Sequence, residues 1–155
     1  KVFFKVSNFN LPFQFLILLI FFQIIIGAFV SGLDAGRIYQ TWPLMGSNYF
    51  PNDLSLHNIK TVLEFDNHSL VQFYHRNLAY FIILYVVFLS LYIYKKAIKS
   101  LFFPLKILLI FLSIQVILGI YTLVSGLNIY LASLHQITSV LLVFSALNLY
   151  YFRTK

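Results

Sequence analysis

Four stretches of this chain, at residues 11–33, 70–94, 101–125 and 129–152, stay apolar over the roughly 20 residues that a helix needs to cross a bilayer. No other feature restricts the fold as much. The hydrocarbon layer holds no water, so every backbone N–H and C=O must find its partner within its own segment, and each stretch is expected to be a helix. Composition agrees about the solvent. Of 155 residues 61% are hydrophobic and 10% charged, whereas soluble domains carry about 25% charged residues. The first stretch is too long and too weakly terminated for a signal peptide, and three more follow it. The expected fold class is all-α: an integral membrane four-helix bundle forming a single transmembrane domain.

Charge sets the orientation. Lys1 and Lys5 precede the first span, Lys95, Lys96 and Lys99 fill the link between the second and third, and Arg153 and Lys155 end the chain. The long link 34–69 holds all four acidic residues but only Arg37 and Lys60 among the basic ones. The positive-inside rule then places both termini on the cytoplasmic or matrix side and the 34–69 loop outside. The net charge of +7 therefore speaks for a lipid bilayer and not for nucleic acid. Cysteine is absent, which excludes disulfides, iron–sulfur clusters and thiolate ligation.

The outer loop is long for a helical bundle and is expected to act as a lid. Pro43, Gly46 and Pro51-Asn52-Asp53 break it into turns. Residues 58–65 suit a short surface helix with Ile59, Val62, Leu63 and Phe65 toward the bilayer. Asn67-His68-Ser69 matches a glycosylation sequon, a pattern too short to weigh.

The chain also carries an internal likeness. Gln23-Ile-Ile-Ile-Gly27 aligns with Gln115-Val-Ile-Leu-Gly119, and each segment runs on to a Ser-Gly-Leu, at Ser31 to Leu33 and Ser125 to Leu127. A span with a histidine near its outer end follows each: His75-Arg76 and His135-Gln136. The bundle thus reads as two repeated helical hairpins, the first enlarged by the outer loop.

Ionisable side chains inside a span are costly and point to function. His75 and His135 fall at similar depth in the outer leaflet. Two imidazoles from two helices can hold one haem iron from both sides, with the macrocycle slotted between the helices. Ala79 lies one turn beyond His75, and Ala132 and Ser139 flank His135; such small residues leave room for a flat ring. Gly27 and Gly119 thin the opposing helices. Arg76 has two readings, pairing with a haem propionate or anchoring at the lipid headgroups. His68 shares a helix face with His75 and is the rival ligand, although Asp66-Asn67-His68-Ser69 looks like a helix start capped by Ser69 or Asn67. His57 is a loop residue without an evident partner. Gln23 and Gln115 are expected to bond across helices. No acidic residue falls in any span, so a buried carboxylate base is missing.

These residues resemble a known family. Gly27-Ala-Phe-Val-Ser-Gly-Leu-Asp-Ala-Gly36, followed by Thr41-Trp-Pro-Leu-Met-Gly46, is similar to the fifth span and outer loop of haem A synthases of the proteobacterial and mitochondrial type. Val71-Gln-Phe-Tyr-His-Arg-Asn-Leu-Ala-Tyr80 resembles their sixth span, and Gln115 to Gly119 with Leu131-Ala-Ser-Leu-His-Gln136 their seventh and eighth. The resemblance implies an eight-span protein in two four-helix halves, of which this chain is the second. That half carries a b-type haem as cofactor, with iron ligated by the residues matching His75 and His135. The first half is thought to hold haem O beside a Glu, where this chain has Val71 and Gln72 ahead of His75. The implied reaction oxidises a methyl group of haem O to a formyl, giving haem A for cytochrome oxidase, with oxygen from water and electrons leaving the substrate. A quinone or other electron acceptor and haem O synthase are the implied partners. The chain opens Lys1-Val-Phe-Phe-Lys5 without an initiating Met, which agrees with a partial gene product. Two rivals need no other half: a stand-alone bis-histidine b-type cytochrome in quinone-linked electron transfer, and a haem-free transporter or assembly subunit.

Overall fold

A computed structural model describes residue 7 and residues 9–54 and 63–155 of the chain. Its four long helices are α1 (Leu11–Gly32), α2 (His68–Lys95), α3 (Phe102–Val124) and α4 (Ile129–Thr154), with one-turn 3-10 segments at Ala35–Arg37 and Lys99–Leu101. All four are long and apolar enough to cross a membrane. The surface helix expected over 58–65 and the loop residue His57 fall largely outside the described residues.

Local chemistry sets the helix ends. Pro12 occupies the first turn of α1, where its missing N–H costs nothing. Asn67 caps α2 by accepting from the Leu70 N–H at 3.1 Å. The helix therefore begins ahead of the apolar stretch, and Asn67, not Ser69, is the cap. Asn128 caps α4 by accepting from the N–H groups of Tyr130 and Leu131. The tight α3–α4 link turns through left-handed backbone at Gly126 (φ 72°) and Leu127 (φ 63°).

Helix α1 packs along α2 and α4, and α3 along α4, while α2 and α3 touch far less. The buried core lies toward the end of the bundle that carries the chain termini, the inner end, opposite the outer end that carries the 34–67 loop. It takes Phe13, Leu16 and Ile20 from α1, Ile82, Val86 and Ile93 from α2, Leu105 and Leu108 from α3, and Leu142 and Tyr150 from α4. Two bonds tie this end together: Gln14 Nε2 donates to Tyr150 Oη at 2.9 Å, and Tyr85 Oη donates to the Pro12 carbonyl at 2.8 Å. The outer halves are different. In those of α1, α3 and α4, from about the helix midpoints outward, Gln115 is the one buried residue. Large apolar side chains such as Phe81, Leu84, Phe88 and Leu91 face outward along α2, as lipid allows and water would not.

Lipid tails are as apolar as leucine, so deleting a core side chain here forfeits packing contacts and not transfer from water. Leu105→Ala (Leu105 is 0% exposed) is expected to lower stability by about 2 kcal/mol, the low end for a buried Leu. Phe88→Ala (Phe88 is 68% exposed) is expected to change it by under ~0.5 kcal/mol. Thermal unfolding of helicity in detergent distinguishes the two.

Candidate functional site

In the outer half, α1 brings Gln23 and Gly27 against His75 of α2. Gln23 Nε2 donates to the His75 main-chain carbonyl at 3.0 Å and lies 3.2 Å and 3.3 Å from the ring nitrogens Nδ1 and Nε2. A Cβ at position 27 would stand 3.0 Å from His75 Cε1, so any side chain there would crowd the ring. Helix α3 treats α4 in a matching way. Gln115 Nε2 donates to the His135 carbonyl at 2.9 Å and to Thr138 Oγ1 at 2.5 Å. A Cβ at position 119 would stand 3.1 Å from His135 Cε1. Inside a membrane these amides must bond to another helix, because no water competes for them.

His75 stands two turns into α2 and His135 a little under two turns into α4. His135 Nδ1 and Gln23 Oε1 are buried without a hydrogen-bond partner. Each imidazole, set by the main-chain bond of its helix to a neighbouring helix, can offer a nitrogen lone pair when neutral.

The loop after α1 folds back over the outer end of α2. Arg76 opens its guanidinium fork onto that loop: Nη1 donates to the carbonyls of Thr41 at 2.8 Å and Leu44 at 3.2 Å, and Nη2 to that of Tyr39 at 2.8 Å. Gln72, 2% exposed, donates to the same Tyr39 carbonyl at 2.9 Å. One turn earlier, Ser69 Oγ donates to Asp53 Oδ2 and Tyr39 Oη to Asp53 Oδ1, both at 2.6 Å. Ser69, Gln72 and Arg76 recur at helical spacing on one face of α2; beside them Asn77 accepts from Tyr49 Oη and Phe73 packs on Tyr49 and Phe50. The loop is also bonded to itself, through Thr41 Oγ1 to the Leu44 carbonyl and the Gly46 N–H to Thr41 Oγ1. Gly36 packs against Leu127 of the α3–α4 link, so this cap spans both helix pairs.

Burial pushes the Asp53 carboxyl up, but hydrogen bonds from Ser69 and Tyr39 together outweigh it and leave the group below its ordinary value. The Tyr39 phenol is raised, chiefly by its bond to Asp53.

Among the other residues singled out by sequence, Ala79, Ala132 and Ser139 are half-buried around the two histidines. His68 is exposed at the first residue of α2. Arg76 serves the cap through both Nη atoms, and its Nε is buried without a partner. Sequence reasoning missed Tyr39, Asp53, Ser69, Gln72 and Thr138. For Ser69 and Gln72 the available signal was their polar character at helical spacing on α2 ahead of His75; nothing comparable marked Tyr39, Asp53 or Thr138.

Comparison with known proteins places the chain. A profile for cytochrome oxidase assembly proteins, COX15-CtaA, matches residues 3–147. The chain belongs to this family. The relatives include proteins called heme A synthase: one of Pelagibacter ubique, 43% identical over 139 residues, one of Wolbachia pipientis wMel, 42% over 132, and one of Bartonella tribocorum, 38% over 122. The matches cover 88%, 85% and 78% of this chain but 40%, 36% and 34% of those relatives. The chain thus spans well under half their length. No solved structure matches it. Family membership and the four apolar helices together make this an integral membrane protein, and these relatives do not favour a stand-alone cytochrome.

The depressed Asp53 carboxyl gives the cap a pH dependence. A folded-state value below the unfolded one adds stability above the ordinary carboxylate range, near pH 4, that is lost as pH falls through the folded value. Trp42, the one tryptophan of the chain, lies in the cap and reports on it. Its fluorescence should hold steady from neutral pH down to about pH 5 and change below about pH 4. Ser69→Ala, which removes one donor to Asp53, should move that change to higher pH.

Proposed function

We propose that this chain is the haem b-binding, C-terminal half of a haem A synthase, an oxidoreductase that turns the methyl group of haem O into a formyl to make haem A for cytochrome oxidase. The name carried by its relatives supports the reaction. The observation that carries the reading to this chain is the matched environment of His75 and His135, each set against a glycine and a glutamine of the neighbouring helix. The same correspondence supports reading the two hairpins as repeats and the four helices as one domain of an eight-span protein. The basic residues at both ends and in the short link support placing this chain's termini on the cytoplasmic or matrix side.

The residues fit a haem. Gly27 and Gly119 leave space that a Cβ would fill beside each imidazole. His135 Nδ1 is a buried ring nitrogen with no partner. In the outer halves of α1, α3 and α4 Gln115 is the one buried residue, and in this reading the haem covers part of what they leave exposed. In this reading His75 and His135 are the axial ligands. Arg76 is the group for a propionate: among the described residues it meets no carboxylate, and its Nε is free to donate. The cap keeps water from the outer end of α2. When bound, a haem with both axial positions filled relays single electrons and leaves no position for oxygen.

No acidic residue lies within the four helices, so the chain brings no carboxylate base to the bilayer interior. The methyl oxidation is therefore assigned to the other half, where haem O binds. Oxygen comes from water, and electrons pass through this half to a quinone or another acceptor. Haem O synthase is the partner that supplies the substrate.

Substituting either histidine tests the assignment. His75→Ala and His135→Ala are each expected to abolish the low-spin b-type spectrum of the purified chain while circular dichroism keeps its helical signal. A low-spin spectrum that survives in either variant would remove that residue from the ligand pair.

A further inference from the structure

Helices α2 and α3 leave an open groove between them. Val86 and Val87 of α2 wall it on one side and Leu112, Ser113 and Ile117 of α3 on the other, around a volume of about 430 Å³, within the range of ligand clefts. The Ser113 hydroxyl is spent on the carbonyl of Leu109 in its own helix, at 2.9 Å, so the groove offers a lipid only apolar contacts. The link from α2 to α3 runs across its inner end. That link carries Lys96 and Lys99, and Lys95 ends α2; all three are exposed. Lys106 lies deeper. It stands four residues past the start of α3, is exposed, and precedes Ser113 and Ile117 by seven and eleven residues, so it shares the groove side of that helix. No acidic side chain follows Asp66 in the sequence, and the one ion pair among the described residues joins Arg37 to Asp34 at the outer end. These lysines therefore have no counter-charge among the described residues.

We propose that the α2–α3 groove and its lysines bind one phospholipid with an anionic headgroup, its phosphate at Lys99 and Lys106 and an acyl chain along the groove. The proposal does not depend on the haem reading. A lysine about 6 Å inside a span is tolerated on a lipid-facing side when its ammonium reaches back to the headgroups. Side chains of a helix tilt toward its N-terminus. The N-terminus of α3 is its inner end, so the stem of Lys106 leads back toward Lys99. Basic residues at a membrane surface attract anionic lipids in preference to neutral ones. A free phosphate would meet the ammonium groups and leave the groove unfilled. A zwitterionic lipid would fill the groove but brings a cation of its own, and a helix or an isoprenoid tail would leave the lysines unpaired. An anionic phospholipid satisfies both the charge and the groove.

The test adds phosphatidylglycerol, phosphatidylcholine or inorganic phosphate to the full chain in detergent. It reads the thermal midpoint of the helical circular dichroism signal and, by native mass spectrometry, the lipid retained. Phosphatidylglycerol should raise the midpoint by a few degrees more than phosphatidylcholine does, with one molecule retained, and phosphate should not reproduce the gain. Lys99→Gln combined with Lys106→Gln should remove most of that gain and leave the midpoint in phosphatidylcholine unchanged. Arg153→Gln combined with Lys155→Gln removes as much charge from α4, away from the groove, and should keep the gain. Val87→Trp and Ser113→Trp fill the groove from opposite walls without touching the charges, and each should remove it. The proposal is overturned if phosphatidylcholine or phosphate matches phosphatidylglycerol, or if losing the α4 cations costs as much as losing Lys99 and Lys106. It is equally overturned if a tryptophan variant with an intact helical signal keeps the full gain.

Discussion

Dense packing at one end of the bundle is the condition for openness at the other. Helices in lipid gain nothing from hiding apolar surface, so they associate through close packing and a few polar bonds. Here the close packing is concentrated in the inner halves, where Phe13, Ile93, Leu105 and Tyr150 interlock. The bonds from Gln14 to Tyr150 and from Tyr85 to Pro12 fasten α1 to α4 and to α2 at that same end. With the helix axes fixed there, the outer halves need not close on one another. There His75 and His135 each pack against a glycine of one neighbouring helix, and Gln115 is the one buried residue in the outer halves of α1, α3 and α4.

The polar bonds of the outer half are too weak to do the clamping. An interhelical hydrogen bond in a membrane contributes about 0.6 kcal/mol on average, while one buried leucine contributes several times that through its contacts. Gln23 and Gln115 thus do little to hold the bundle together. Their value is geometric: each fixes the height of one histidine against one glycine. A methyl group at either glycine would press on Cε1 of the ring and displace it from the neighbouring helix.

The spans were legible because bilayer thickness leaves few choices of length and conformation. The two histidines stood out because an ionisable group inside a span is costly, and the structure sets each of them against a glycine of the neighbouring helix. The cross-helix role expected of Gln23 and Gln115 is seen, on the histidine carbonyls. The cap was not legible. Its anchors are main-chain carbonyls, which every residue carries, so no side-chain pattern says which of them Arg76 will meet. Sequence offered Arg76 a propionate or a headgroup, and the loop that folds back onto it came from neither reading. The start of α2 was placed late for a related reason, since Asn67 and His68 are polar and hydropathy alone excludes them from a span.

The cap explains why the first hairpin needs a long loop where the second manages with a tight turn. A guanidinium within a span that meets no carboxylate among the described residues needs a set of oxygens matching its planar fork. The three carbonyls of Tyr39, Thr41 and Leu44 meet that need, and they converge because Thr41 and Gly46 bend the loop on itself. Carbonyl dipoles stabilise the charge without cancelling it. The residue next to His75 therefore keeps a full positive charge, at a fixed place, on the outer side of the imidazole pair. Lysine, with a compact ammonium and no planar fork, would not span the same three oxygens. The loop's length thus follows from the geometry of Arg76: it is the chain needed to bring three carbonyls to one side chain while Ser69 and Gln72 hold the return path to α2.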